Sequence, residues 1–175
     1  MVQDTDKIKV RNLTSHYVIY RDEDAHIRIQ FQPHQVREIE AGSLRKYFYS
    51  HGGQVILQNY LSVQNDELRR EFEIEEDQVE YNWDANKIKS VLLEEPIEVL
   101  EDALEFGPEG VKEELASQAV RLVIPDNNKR EAISKALGVD ITKKIELSNA
   151  TQSDGQKSAE AAPKRRRRVQ PTTDK

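Results

Sequence analysis

Residues 7–40 read KIKVRNLTSHYVIYRDEDAHIRIQFQPHQVREIE, and their alternation of apolar and polar side chains decides the fold of the N-terminal part. Apolar residues recur at every second position in short runs, such as Ile8 with Val10 and Ile27 with Ile29. A period of two places successive side chains on opposite faces of a β-strand. Three turn-like breaks divide the stretch, at 12–15, 22–24 and 33–34. The sequence therefore predicts four short antiparallel strands in a small β-module.

A short helix and a last strand complete this predicted module, which spans residues 1–64. Ser43 is a suitable N-cap, and apolar side chains follow at helical spacing in 44–48. The glycine pair 52–53 is expected to end this helix. Residues 54–63 predict a helical turn that runs into a final strand. Because each strand has one apolar face, we expect the short helix to cover the sheet on one side.

The middle of the chain predicts a charged connection followed by helices. Residues 65–82 are dominated by charged side chains, which is typical of a linker or an exposed short helix. Residues 83–149 repeat apolar side chains at helical spacing, and signals that start or end helices recur at short intervals. These signals are Pro96, Gly107, Pro108, Pro125, Asp126, Gly138 and Asp140. Four to five short helices in a small bundle are predicted, so the fold class is α+β.

The C-terminal residues 150–175 carry a basic cluster on an otherwise acidic chain. Residues 151–175 hold seven Lys/Arg against three Asp/Glu, a charge of +4, which leaves −10 for residues 1–150 out of the total of −6. The stretch before the cluster lacks large apolar side chains, so residues 150–175 are predicted to be a disordered tail. The candidate binding residues are the five consecutive cations Lys164, Arg165, Arg166, Arg167 and Arg168.

Such a cluster binds nucleic-acid phosphates or an acidic protein surface, because five cations neutralise about five phosphates without reading bases. Two other interpretations stay open, a nuclear-import signal and a solvated tail with no specific ligand.

Composition limits the size of the core and the classes of protein to which the chain can belong. At 175 residues with 37% hydrophobic and 33% charged residues, and a mean hydropathy of −0.78, each module has a small core. We expect stability to come partly from neighbours in a multi-copy assembly. Cysteine is absent, which excludes disulfides and thiolate chemistry. No apolar run approaches the roughly 20 residues that span a bilayer, and the N-terminus lacks a signal-like apolar segment, so no membrane partner is expected.

The sequence carries no motif for catalysis or metal binding. The four histidines, His16, His26, His34 and His51, have spacings of ten, eight and seventeen residues, which fit no metal-ligand pattern. The acidic pairs Glu75-Glu76, Glu94-Glu95 and Glu113-Glu114 are interpreted as solvated faces, because adjacent residues on a helix point apart. Neither a nucleophile elbow nor a glycine-rich phosphate loop is present. We expect no enzyme activity, cofactor or metal.

Three parts of the chain resemble small structural or accessory proteins of tailed-bacteriophage virions. Residues 10–63 contain the pattern P-x-x-V-x-x-I at 33–39 and the helix start S-L-R at 43–45. The acidic helical stretch from Leu100 to Glu146 and the terminal RRRRV at 165–169 are similar to members of that group. The resemblance covers most of residues 7–147.

The resemblance implies a non-enzymatic, multi-copy component of the capsid or the head-to-tail region. It implies the virion as the location, with the host cytoplasm during assembly, and no catalytic residues. Capsid, portal or neck proteins are the implied partners, and the tail is expected to contact packaged DNA or an acidic protein surface. The alternative is an intracellular nucleic-acid-binding or regulatory adaptor that uses the KRRRR tail. An inhibitor that mimics nucleic acid would suit the acidic body, but the sequence displays no evident row of carboxylates.

Overall fold

The structure is a computed structural model, and it describes residues 1–22, 27–74 and 76–160. Its strands are β1 (Lys7–Asn12), β2 (Val18–Asp22), β3 (Ile27–Phe31), β4 (Val36–Glu40) and β5 (Leu61–Val63). The helices of the N-terminal half are α1 (Ala41–Phe48), α2 (Gly53–Tyr60), α3 (Asp66–Glu71) and α4 (Glu76–Glu80). Those of the C-terminal half are α5 (Ala85–Leu93), α6 (Ile97–Phe106), α7 (Glu109–Arg121), α8 (Asn127–Leu137) and α9 (Ile141–Glu160). The α+β fold class is confirmed.

The four predicted strands form, but they divide between two sheets. β1 is the middle strand of an antiparallel sheet with the order β4-β1-β5, and Val10 in it faces Val63 across the β1–β5 pair. β2 and β3 form a separate two-stranded hairpin. The hairpin turns Tyr20 and Phe31 towards the same core as Val10. The period-two pattern therefore places one apolar face of each strand in a shared core.

The helix after β4 begins earlier than the sequence indicates. Its first residue is Ala41, and Glu40 occupies the N-cap position without a side-chain cap bond, so the prediction of Ser43 as the cap is wrong. Ala41 is fully buried, and its N–H donates to the carbonyl of Asp6 at 2.9 Å. Contact with the N-terminal segment therefore supplies the bond that a capping side chain usually provides. The predicted helical turn and last strand are confirmed as α2 and β5.

The segment 65–82, predicted as a linker or an exposed helix, belongs in part to the first core. Asn65 caps α3 by accepting a hydrogen bond from the N–H of Leu68 at 2.9 Å. Leu68 and Phe72 are fully buried, and the Phe72 ring stacks on Phe48 at 4.8 Å between centroids. The N-terminal module therefore extends beyond residue 64.

Helices α5 to α9 surround a second core, in agreement with the predicted bundle. Ile88, Leu100, Leu115 and Ile133 lie at its centre and are fully buried. Asp126 caps α8 by accepting from two backbone N–H groups, and Gly138 ends it at a φ of 65°. A side chain at that φ would be strained, which explains a glycine there. The last helix continues to Glu160, whereas the sequence pattern predicted its end at Asn149.

Candidate functional site

The predicted binding residues Lys164, Arg165, Arg166, Arg167 and Arg168 lie outside the described residues. The structure therefore places none of them and brings none of them to another side chain. It does fix where their segment leaves the fold, since α9 starts at Ile141 in the second core and ends at Glu160.

The loop after β1 joins the two modules. Leu13 in this loop is 2% exposed and belongs to the core of the helical module, not to that of the β-module. Its N–H donates to the carbonyl of Tyr60 at 3.0 Å. Arg11 donates to the carbonyls of Asn82 and Trp83 at the start of the helical module. The two modules consequently share packing and hydrogen bonds.

Asn12 shapes this loop through four hydrogen bonds. Its side chain is fully buried, and Nδ2 donates to the carbonyls of His16 at 2.7 Å and Gln32 at 2.9 Å. Oδ1 accepts from the backbone N–H of Thr14 at 2.9 Å and from its hydroxyl at 3.0 Å. A buried amide with every bond made is a strong positional constraint, because an unmade bond would cost its full desolvation. The loop therefore presents Ser15 and His16 in a fixed arrangement.

A buried carboxylate meets the loop from the helical module. Glu114 of α7 has no exposed side-chain surface, and its Oε2 accepts from the N–H of Ser15 at 2.6 Å. Its Oε1 accepts from Nε2 of Gln118 at 2.7 Å and lies 3.4 Å from Nε2 of His34. A buried charge is tolerated only with partners of this kind. The interpretation of Glu113-Glu114 as a solvated pair is therefore wrong for Glu114, whereas Glu113 is exposed.

A groove of about 590 Å³ opens beside this junction, between the loop after β1 and the helices α7 to α9. Its apolar lining comes from Ala116, Val120, Leu137 and Val139. Its polar lining comes from His16, Glu109, Glu113, Ser117 and Lys144. We call this space the junction groove. Its volume and its mixture of apolar and polar walls suit a short peptide segment or a small ligand.

Carboxylates set the electrostatics of one wall of the junction groove. Glu109 and Glu113 are exposed and lie one turn apart on α7. The hydroxyl of Tyr60 donates to Glu113 at 3.1 Å. Burial, followed by the nearby Glu113 charge, raises the pKa of Tyr60 above its ordinary value. This wall therefore favours a cationic ligand, although Lys144 contributes one positive charge to the lining.

A row of carboxylates runs along α6. Glu98, Glu101, Asp102 and Glu105 are all exposed and recur at intervals of three and four residues, which places them on one helical face. Glu98, Glu101 and Glu105 form no ion pair with any described residue. Glu101 and Glu105 also line a smaller groove of about 290 Å³ between α6 and α8. The patterned row that was not evident from the sequence is thus present on the folded body.

The hairpin adds an apolar surface. Its inner face carries Tyr20 and Phe31, which are buried, so Ile19, next to Tyr20 on β2, points outward. Ile19 on β2 and the preceding Tyr17 are each 58% exposed, and Val36 at the start of β4 is 49% exposed. Large apolar side chains exposed two residues apart, as Tyr17 and Ile19 are, are typical of protein contact surfaces.

Within 1–22, 27–74 and 76–160, no group of three or more His, Asp or Glu side chains is arranged to hold a metal ion. None of the helices in these ranges combines the length and the apolar character that crossing a bilayer would need.

Sequence reasoning missed the role of Glu114, although a signal was present. Val111, Leu115 and Ala119 form the predicted apolar stripe of α7, and all three are buried. Glu114 and Gln118 fall at three-residue and four-residue steps within the same stripe, so both belong to the buried face. Two polar residues one turn apart on a buried face predict a polar contact with a neighbouring element.

Comparisons of the chain with protein-family models, with curated proteins and with solved structures find no match in any of the three.

Proposed function

We propose that this chain is a non-enzymatic assembly component of a tailed-bacteriophage virion, in the capsid or head-to-tail region. One observation carries the proposal, the separation of charge between an acidic folded body and a basic C-terminal cluster. The body carries −10 over residues 1–150, and five cations are collected at Lys164–Arg168. Such a chain can bind two kinds of neighbour at once. Its basic cluster binds an anionic neighbour, and its folded surfaces bind a protein.

The folded body supports the protein-contact half of the proposal. The loop after β1, with Leu13 in the helical core and Ser15 bound to Glu114, couples the hairpin to the helices. The outward residues Tyr17 and Ile19 are therefore carried on a braced scaffold. A braced apolar surface loses little conformational freedom on binding, which favours stable docking onto a shell. Capsid, portal or neck proteins are the proposed partners, and packaged DNA is the proposed contact of the tail.

The first test is mass spectrometry of particles purified from the phage that encodes this chain. We expect the chain in stoichiometric amounts that survive a salt wash, because folded surfaces make most of the contact. Its absence from purified particles would contradict the proposal. A double variant, Tyr17→Ser with Ile19→Ser, tests the hairpin surface. If this variant folds normally by circular dichroism but is missing from particles that contain the natural chain, the contact lies on the hairpin.

The second test concerns the tail. Replacing Lys164–Arg168 by five glutamines should remove most of the salt-sensitive retention on immobilised DNA, because retention scales with the number of phosphates neutralised. A matched control neutralises five exposed cations of the body, namely Lys46, Lys89, Arg121, Lys135 and Lys143. The control changes the net charge equally and should retain binding. Equal losses in both variants would show that net charge acts, not the cluster.

The alternative function is an intracellular nucleic-acid-binding or regulatory adaptor in which the basic cluster is the principal binding element. The same charge separation supports it. The two functions differ in whether the chain is present in purified particles at all. A virion component should still enter particles with its five glutamines, whereas an adaptor should be missing from purified particles with either tail.

A further inference from the structure

The junction groove has a lining that matches the end of this chain. We propose that the segment Arg167–Val169 of the same molecule binds in the junction groove. In this arrangement Arg167 and Arg168 pair with Glu109 and Glu113, and Val169 lies on the apolar lining. The proposal is independent of the virion function, because it concerns a contact within one chain.

Charge complementarity is the first argument. Glu109 and Glu113 are exposed and one turn apart on α7, so their carboxylates face the solvent side by side. Two like charges at this spacing repel each other weakly, and a pair of guanidinium groups relieves that repulsion. Lys112 already pairs with Glu109 at 3.2 Å, and Lys144 adds a positive charge to the lining. The contact is consequently expected to be modest and sensitive to salt.

Shape is the second argument. Ala116, Val120, Leu137 and Val139 give the groove an apolar surface beside its carboxylates. The sequence RRRRV at 165–169 supplies the complementary order, since the arginines are followed directly by Val169. The α6–α8 groove is smaller, at about 290 Å³, and has Leu104 as its large apolar lining residue. The junction groove therefore accommodates a cationic and an apolar side chain together.

Chain length is the third argument, because it determines which residues of the basic cluster can reach the junction groove. Lys144 lines the groove, and α9 runs sixteen residues further to Glu160. At 1.5 Å per residue this part of the helix is about 24 Å long. Arg167 follows Glu160 by seven residues, which span at most about 23–25 Å when extended, and Arg168 reaches about 26–29 Å. Arg167 to Val169 can therefore return to the groove, whereas Lys164, only four residues beyond Glu160, reaches about 14 Å and falls short.

Nuclear magnetic resonance on the full chain tests the contact. The probe is the set of backbone amide shifts of Ala116, Val120 and Val139, compared between the natural chain and the double variant Arg167→Gln and Arg168→Gln. We expect these shifts to differ between the two chains at about 50 mM salt, and most of the difference to vanish at about 500 mM, where charges are screened within about 4 Å.

Two carboxylate variants make the test specific. With Glu109→Gln and Glu113→Gln in both chains, the tail should no longer alter the groove amides. Glutamine keeps an acceptor for the Tyr60 hydroxyl, so the fold is expected to persist. The matched control, Glu101→Gln with Glu105→Gln, removes the same charge from α6 and should leave the difference intact. Loss of the difference in the control as well would overturn the proposal in favour of general attraction to an acidic surface.

Two further outcomes would also overturn it. Groove amides that are identical in the natural and the Arg167→Gln, Arg168→Gln chains would show that the segment does not bind there. Shift differences that disappear on tenfold dilution would assign the groove to the tail of a second molecule, because a contact within one chain does not depend on concentration. Differences that are independent of dilution and are removed only by the groove variant would support the proposal.

Discussion

At the scale of single residues, the buried polar groups of this protein divide into satisfied and unsatisfied ones. Asn12 and Glu114 make all the bonds described above, and both hold the loop after β1. The hydroxyl of Tyr47 is buried and has no hydrogen-bond partner among the described residues. The neighbouring Tyr20 has its ring centroid 4.5 Å away, and its hydroxyl donates to Oγ of Ser50 at 2.6 Å. The two tyrosines therefore offer a matched pair for measuring the cost of an unpaired hydroxyl.

We expect Tyr47→Phe to raise the free energy of unfolding by about 1 kcal/mol, because it removes a polar group that is buried without a bond. Tyr20→Phe should lower it by about 1–2 kcal/mol, because it leaves Ser50 and the carbonyl of His51 without their donor. Urea unfolding followed by circular dichroism measures both changes. Equal destabilisation by the two substitutions would show that the Tyr47 hydroxyl has a partner.

The same residue contributes to the loss of stability at alkaline pH. Burial, with a smaller contribution from Tyr20, raises the pKa of Tyr47 above its ordinary value. The unfolded chain loses this proton near pH 10, so stability is complete below that pH and falls as the pH rises above it. In Tyr47→Phe the decline above about pH 10 should be shallower. Thermal unfolding at about pH 8 and about pH 11, below and above the ordinary tyrosine pKa, measures how steeply stability falls with pH. An identical fall in the natural chain and in Tyr47→Phe would contradict the assignment.

At the scale of elements, the end of α5 depends on a side chain from another helix. Lys129 of α8 is 4% exposed, and its Nζ donates to the carbonyls of Val91 at 2.7 Å, Leu92 at 3.2 Å and Glu95 at 2.7 Å. These carbonyls lie at the C-terminal end of α5, where helical partners run out and the helix dipole is negative. One ammonium group with three donors therefore closes one helix and ties it to another.

We expect Lys129→Met to lower the free energy of unfolding by about 2–4 kcal/mol, because methionine fills the space and leaves three carbonyls without a donor. The control is Lys135→Met on the same helix, where the side chain is exposed. The control should change stability by less than about 0.5 kcal/mol. Thermal unfolding measures both, and similar losses in the two variants would contradict the capping role.

The elements themselves were largely predictable, and their exact limits were not. Periodicity located the strands and helices, because an element that buries one face has apolar residues at regular spacing. The caps at Asp126 and Gly138 were also local signals. The start of α1 was mispredicted because Ala41 is fixed by a bond to Asp6, a contact distant in sequence. Phe72 was assigned to a linker because its charged neighbours conceal its apolar partner Phe48.

At the scale of the whole molecule, the two modules meet where backbone approaches backbone. Gly110 lies near the start of α7, and a Cβ atom added there would lie 2.8 Å from the carbonyl oxygen of Asn59 and 3.2 Å from Cα of Tyr60. Real Cβ atoms essentially never come within 3.0 Å of another atom, so the contact with Asn59 excludes a side chain unless the backbone shifts. The absence of a side chain at Gly110 thus allows α7 to pack against the end of α2.

We expect Gly110→Ala to lower the free energy of unfolding by about 1–3 kcal/mol, since the modules must separate or shift to admit the methyl group. The adjacent Glu109→Ala is the control, because Glu109 is exposed and its removal should cost less than about 0.5 kcal/mol. Differential scanning calorimetry measures both. An unchanged melting temperature in Gly110→Ala would show that the contact yields without cost.

The candidate site was less accessible to sequence reasoning than the fold. The basic cluster is evident as five adjacent letters, yet it lies outside the described residues and its role stays a prediction. The junction groove draws its lining from the loop after β1 and from three helices, which only the packed structure brings together. Glu114 was misassigned because its partner Ser15 is ninety-nine residues away. The spacing in α7 places Glu114 on the buried face, but it does not indicate which distant residue lies opposite.

The burial of Leu13 among the helices has a consequence for how this protein comes apart. A chain severed between residues 82 and 85 would uncover Leu13 on one fragment and leave a vacant space in the other. The helical half is therefore an incomplete folding unit without Leu13, and melting is expected to occur as one cooperative event. Fragments made for separate study would best be cut elsewhere or kept together, since the helical fragment would lack part of its interior and the other fragment would expose Leu13.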